Sequence, residues 1–113
     1  MKNKKGNLLE LIPDKSCRWE KNQKGGIDLL VPRFRNRFFK NIALKLGRSE
    51  WVKISFDEIG SKSWDLIDGK RSVEQIGKLL EKEMGEQVKP VYQRLTEFMV
   101  ILSRNKFIIF KNY

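Results

Sequence analysis

Apolar and polar positions alternate in two ways along this chain, by twos in its first third and by threes and fours in its second half. Cys17 and Trp19 alternate with Arg18 and Glu20, a turn cluster from Asn22 to Gly26 follows, and Ile27 to Val31 is a short apolar run enclosing Asp28. This predicts a β-hairpin whose second strand ends at Pro32. From Arg33 to Gly47 the period changes. Phe34, Phe38, Ile42 and Leu46 recur every four residues with Phe39 and Ala43 beside them, while Arg33, Arg37, Lys40 and Lys45 lie off that stripe and Arg35 blurs it. The pattern predicts a cationic amphipathic helix closed by Gly47. Trp51 to Ile54 then reads as a four-residue strand, with Trp51 and Lys53 on one face and Val52 and Ile54 on the other.

Three helices are predicted next. Ser55 and Glu58 have the spacing of a capping box, with Ile54 and Ile59 as its hydrophobic staple, so a first helix is expected from about Phe56 to Asp68 with Phe56, Ile59, Ser63 and Ile67 facing inward. Gly69 stops it. Ser72 and Gln75 form a second capping box before Val73, Ile76, Leu80 and Met84, and Gly85 ends that helix. Pro90 suits the first turn of a third helix, whose core stripe is Val91, Leu95, Phe98 and Leu102 and whose end is Asn105. Phe107 to Phe110 closes the chain as a short strand.

These elements predict an α+β domain: a winged helix-turn-helix-like arrangement in which a small antiparallel sheet, the N-terminal hairpin plus a third strand, is followed by a three-helix bundle. Residues 1–13 are expected as a flexible basic tail in which Leu8, Leu9, Leu11 and Ile12 offer a short apolar anchor. Residues 14–113 are expected as a single domain carrying a basic insertion at about 33–50. At 113 residues the chain has room for one core. The longest uninterrupted apolar run is Phe98 to Leu102, too short to cross a bilayer, and the start lacks a secretory-signal pattern, so a cytoplasmic protein is expected.

Composition narrows the chemistry. With no histidine, a Ser-His-Asp triad and any His-bearing metal site are excluded. The single cysteine, Cys17, forms neither an internal disulfide nor a Cys-only metal cage, and reads as a small buried hydrophobe. No carboxylate pair stands out. The expectation is a binding protein, not an enzyme, with no cofactor and no metal. Charge is lopsided: residues 1–48 hold 13 Lys and Arg against 4 Asp and Glu, whereas the rest of the chain is nearly balanced within a total of +10. Such a block points to an anionic partner. The basic surface at Arg33, Arg35, Arg37, Lys40 and Lys45 fits a helix packed over the sheet with a solvated positive face. It also fits contact with an acidic peptide, nucleic acid or a membrane surface.

The segment Trp64 to Leu80, WDLIDGKRSVEQIGKLL, resembles the PqqD family. The resemblance rests on Leu66, Asp68, Gly69, Lys70, Arg71, Ser72, Val73 and Ile76. It extends through Val91, Leu95 and Phe98 to Asn105-Lys106-Phe107-Ile108, with Cys17 to Glu20 where the family begins its first strand. Locally, Asp68 to Arg71 also reads as a turn between two packed helices. The family comprises RiPP recognition elements, non-catalytic winged-helix peptide chaperones of cofactor and natural product biosynthesis. They bind the leader segment of a ribosomally made precursor peptide and present it to a modifying enzyme, often a radical SAM protein. The resemblance implies that a leader adds as a strand to Trp51–Ile54, against a wall formed by Val91 to Arg104. The family usually joins its second and third strands tightly; here Phe34 to Glu50 intervenes.

Strand addition has its own physics: an exposed edge offers unpaired N–H and C=O groups to an extended peptide. Beside the core stripe of the third helix runs a second one, Tyr92, Thr96, Met99 and Ser103, which reads either as core or as a groove wall. The expected peptide site is therefore Trp51, Val52, Lys53, Ile54, Tyr92, Leu95, Thr96, Met99 and Ser103. The rival reading is a small basic winged-helix protein that binds nucleic acid. The outer face of the third helix, with Lys89, Gln93, Arg94, Glu97 and Arg104, is a poor match to a major-groove reader, which leaves phosphate contact by the basic first half.

Overall fold

The computed structural model describes residues 7–32 and 51–113, so the cationic helix expected over 33–47, with Arg33, Arg35, Arg37, Lys40 and Lys45, lies outside the described residues. The hairpin and third strand form as expected. Strands β2 (Arg18–Lys21), β3 (Ile27–Pro32) and β4 (Trp51–Ser55) make an antiparallel sheet in the order β2-β3-β4. The register sets Trp19 opposite Leu29, and Leu29 opposite Ile54. Because strand side chains alternate, one face of this sheet carries Ile27, Leu29 and Ile54 toward the helices. Ile27 and Leu29 are fully buried there. Asp28, Leu30 and Lys53 share the opposite face.

Three helices follow: α1 (Glu58–Leu66), α2 (Val73–Met84) and α3 (Val91–Arg104). The capping box at Ser72 and Gln75 is present in both directions, and Gly85 ends α2 with a φ of 67° that favours glycine. The expected box at Ser55 is not formed. Phe56 N–H donates to the Ile27 carbonyl, so strand pairing runs on past Ser55, and Asp57 becomes the N-cap by accepting from Gly60 N–H at 2.7 Å. The helix starts at Glu58 for that reason. Asp68 takes Lys70 and Arg71 N–H on one carboxylate oxygen, which makes Asp68 to Arg71 the turn joining α1 to α2.

The closing strand β5 (Ile108–Phe110) pairs with a strand the sequence did not suggest, β1 (Pro13–Lys15), in a separate two-stranded sheet. Residues 7–13 are therefore docked, unlike the flexible tail expected there. Leu11 is buried at 3% exposure, its carbonyl accepts from Val73 N–H, and the Ile12 carbonyl accepts from Lys111 N–H. The apolar anchor at Leu8 to Ile12 is what holds this segment down: Leu8 and Leu9 pack on the core formed by the inner sheet face and the three helices.

At the centre of that core stands Trp64, fully buried on α1. It meets Trp19 edge-on at 6.4 Å and Phe56 at 5.9 Å, and Phe56 meets Phe98 of α3 at 5.3 Å. This run of rings joins the sheet to the third helix, and pairs of this geometry add about 0.5–1.5 kcal/mol each beyond their burial. No described helix is long and apolar enough to cross a membrane.

Candidate functional site

The outer edge of β4 is the natural place to begin, since among the described strands β4 pairs with β3 alone. Antiparallel ladders alternate bonded and non-bonded residue pairs. Phe56 N–H on the Ile27 carbonyl makes those two a bonded pair, so Leu29–Ile54 and Val31–Val52 are the next bonded pairs along the register. Pro32, which has no N–H, falls opposite Trp51 at a non-bonded position, in keeping with that parity. Val52 and Ile54 thus spend their backbone groups on β3. Lys53 and Ser55 direct theirs away from it, toward the edge that no described strand covers.

Beside that edge lies a cavity of about 480 Å³ between the end of β4, the first turns of α1, and α3. Ser55, Phe56 and Asp57 form one side. Ile59, Gly60 and Ser63 of α1 form another, and Val91, Arg94, Leu95 and Phe98 of α3 the third, with Leu80 and Val88 at the base. Ser63 is buried and its hydroxyl donates to the Ile59 carbonyl at 2.8 Å, so it presents little polarity to the cavity. The lining is mostly apolar with a polar rim, the usual make-up of a ligand cleft.

The residues expected at the site divide. Trp51 to Ile54 lie in β4, with Ile54 packed against the core, and Leu95 lines the cavity. Tyr92, Thr96, Met99 and Ser103 do not line it. Met99 is inside the core at 0% exposure. Tyr92 lies over α2, where a Cβ added to Gly77 would stand 2.5 Å from its ring. The Thr96 hydroxyl returns to the Gln93 carbonyl of its own helix. Of the second stripe, Tyr92 thus meets α2 and Met99 enters the core, and the cavity is walled by the other flank of the core stripe, Arg94 and Phe98. Ile101, 56% exposed, continues that flank one turn on. An isoleucine off the core stripe, three residues from Phe98 and seven from Arg94, was the sequence signal for it.

Electrostatics around the edge are modest. Lys53 pairs with Glu20 across β3 at 3.3 Å, both side chains well exposed, so the pair contributes little. Asp28, on the outer face between them, accepts from the Asn22 amide and the Ser55 hydroxyl, and these bonds hold its carboxyl below the ordinary range. Arg94 Nη1 donates to the Gln87 carbonyl at 2.9 Å. Burial pushes the Cys17 thiol up, away from the thiolate a nucleophile needs. Among the described residues no group of His, Cys, Asp and Glu is placed to hold a metal ion.

Comparison with known proteins adds one result. No curated protein and no solved structure matches the chain. A family model does: that of coenzyme PQQ synthesis protein D (PqqD), over residues 44–108, which takes in β4, the three helices and the start of β5. With more than half of its length matched, and the mixed α+β architecture in place, the chain belongs to the PqqD family.

Proposed function

We propose that this chain is a non-catalytic peptide-binding protein that takes an extended precursor segment as an added strand on the outer edge of β4, in the trough between that edge and α3. In this reading it holds the leader of a ribosomally made peptide for a modifying enzyme of the radical SAM type and carries no cofactor itself. The observation that supports it is the parity of β4: the backbone groups of Lys53 and Ser55 turn away from β3, beside a cavity whose wall is α3. Backbone pairing supplies affinity to such a strand and the cavity supplies choice. The nucleic-acid reading has less support, since the exposed row of α3 includes Glu97 and Ile101 beside Arg94 and Arg104.

The test uses the full chain and the tightest binder from a displayed library of random peptides of about 12 residues, longer than an ordinary strand. Lys53→Pro removes one outward N–H; Lys53→Ala removes the ion pair with Glu20 but keeps that N–H. Lys53→Pro is expected to weaken binding about three- to tenfold beyond Lys53→Ala, the worth of one net hydrogen bond. Val52→Pro acts differently, because its N–H belongs to the β3 ladder: it lowers stability. On peptide addition the Lys53 amide gains protection from hydrogen exchange. Binding that leaves this amide unprotected, with Lys53→Pro equal to Lys53→Ala, refutes strand addition at β4.

A further inference from the structure

We propose that a cleft at the turn end of the β2–β3 hairpin is a docking site for an arginine-bearing loop of a second protein, received by the free oxygen of the Asp28 carboxylate. This goes beyond peptide capture at β4. The cleft lies between the hairpin turn, the start of α1 and the end of α2, and no residue of α3 lines it. It measures about 1370 Å³, more than the roughly 300–1,000 Å³ of a small-molecule pocket, which favours a polypeptide segment as occupant. Asp28 is its buried anion. The residue is 6% exposed, and the Asn22 amide and the Ser55 hydroxyl both bond to Oδ1, which leaves Oδ2 without a partner among the described residues. Among those residues Trp64 Nε1 is the side-chain atom that is both sealed and unbonded, so Asp28 Oδ2 is not sealed and opens to the cleft that Asp28 lines. The wall beside it is fixed. Asn22 Oδ1 accepts from Lys24 and Gly26 N–H, and Ser61 Oγ on α1 accepts from Ile27 N–H at 2.9 Å, so a docking segment meets a preformed surface.

Charge selects the occupant. In a chain of net charge +10 this cleft has the opposite sign, with six acids against four lysines in its lining. Two of the lysines are matched locally, Lys62 by Glu83 at 2.7 Å and Lys53 by Glu20 at 3.3 Å. Asp57 caps α1. Asp28, Glu58 and Asp65 remain, and among the described residues none of the three enters an ion pair. A guanidinium carries five N–H donors in a planar fork and is weakly hydrated, so it bridges acceptors on two walls better than a strongly hydrated ammonium does. Phe56 and Met84 in the lining offer apolar surface to its methylene stem.

The probe is acetyl-Gly-Arg-Gly-Arg-Gly-amide, titrated into the full chain and followed by amide NMR. Saturable shifts are expected at Asn22, Gly26 and Ser61. Affinity should fall about tenfold when citrulline, the neutral isostere, replaces both arginines, and about threefold with lysine. Asp28→Asn should weaken the arginine peptide about tenfold and Asp65→Asn about two- to threefold, while Glu97→Gln, on α3 and outside the cleft, should leave it unchanged. Should Asp28→Asn fail to fold, Asp65→Asn, at an exposed position, and the peptide series still decide. Citrulline or lysine peptides that bind as tightly as the arginine peptide overturn the site. So do shifts spread evenly over the acids of the chain, or a loss in Glu97→Gln equal to that in Asp65→Asn. N-acetylarginine amide binding as tightly as the pentapeptide would place a small molecule there and overturn protein docking. Strand addition is judged separately, by protection of the Lys53 amide, so either reading can fail alone.

Discussion

Asp28 lies at the middle of the outer sheet face, nearly buried, with the Asn22 amide at 3.0 Å and the Ser55 hydroxyl at 2.7 Å on the same carboxylate oxygen. Both bonds favour the charged form, so its carboxyl titrates below the ordinary value of 3.8. In the unfolded chain the bonds are gone. The stabilisation is therefore complete above the ordinary carboxylate range and is lost as pH falls through that value toward the lower, folded one. Asp28→Asn should flatten the acid limb of the stability curve relative to the parent, while other acids such as Asp68 keep their share in both. Urea unfolding at neutral pH and at several points below pH 4 measures the difference; parallel curves would count against the assignment. Little of this was legible in the sequence, where Asp28 reads only as a break in an apolar run. Its role depends on Ser55, 27 positions away in sequence, which itself reads as a helix cap.

The junction between β4 and α1 shows why the helices were legible and their edges less so. Ser55, Asp57 and Glu58 all carry groups suited to a helix start, and spacing alone favours the box from Ser55 to Glu58. The hydrogen bond from Phe56 to Ile27 decides otherwise by keeping Ser55 in the strand, a tertiary fact absent from local sequence. Asp57→Ala should cost about 1 kcal/mol of stability through the lost cap. Ser55→Ala should leave helix content unchanged and instead raise the Asp28 carboxyl toward its ordinary value. Denaturant unfolding with far-UV circular dichroism, and carboxyl titration by NMR, separate the two; a loss of helix in Ser55→Ala would restore the box. The third helix teaches the same lesson. Its core stripe at Val91, Leu95 and Leu102 follows from periodicity, but periodicity leaves two flanks equally available. Tyr92 and Met99 made one flank look the better groove wall, yet Met99 is buried in the core and Tyr92 packs on α2, where Gly77 leaves room for its ring.

At the scale of the molecule, the winged-helix outline was readable because strand, capping and glycine signals are local and agree with one another. The β1–β5 pairing was not, since Pro13–Lys15 has neither the length nor the alternation of a strand and is made one by Ile108–Phe110 nearly a hundred residues later. Charge, by contrast, is a property of the whole chain that sequence reports directly, and it bears on how an acidic peptide would arrive. Excess positive charge raises the rate of encounter with an anion, and that acceleration fades as the screening length falls from about 30 Å at 0.01 M salt to about 10 Å at 0.1 M. In the proposed complex the backbone pairs along β4 are short-ranged, and they govern escape instead. Stopped-flow binding of an acidic peptide taken from the displayed library, across that salt range, should therefore show an association rate falling about tenfold and a dissociation rate almost unchanged. If the salt dependence appears instead in dissociation, charge is holding the complex together, and the short-range contacts at β4 are not what retain the peptide.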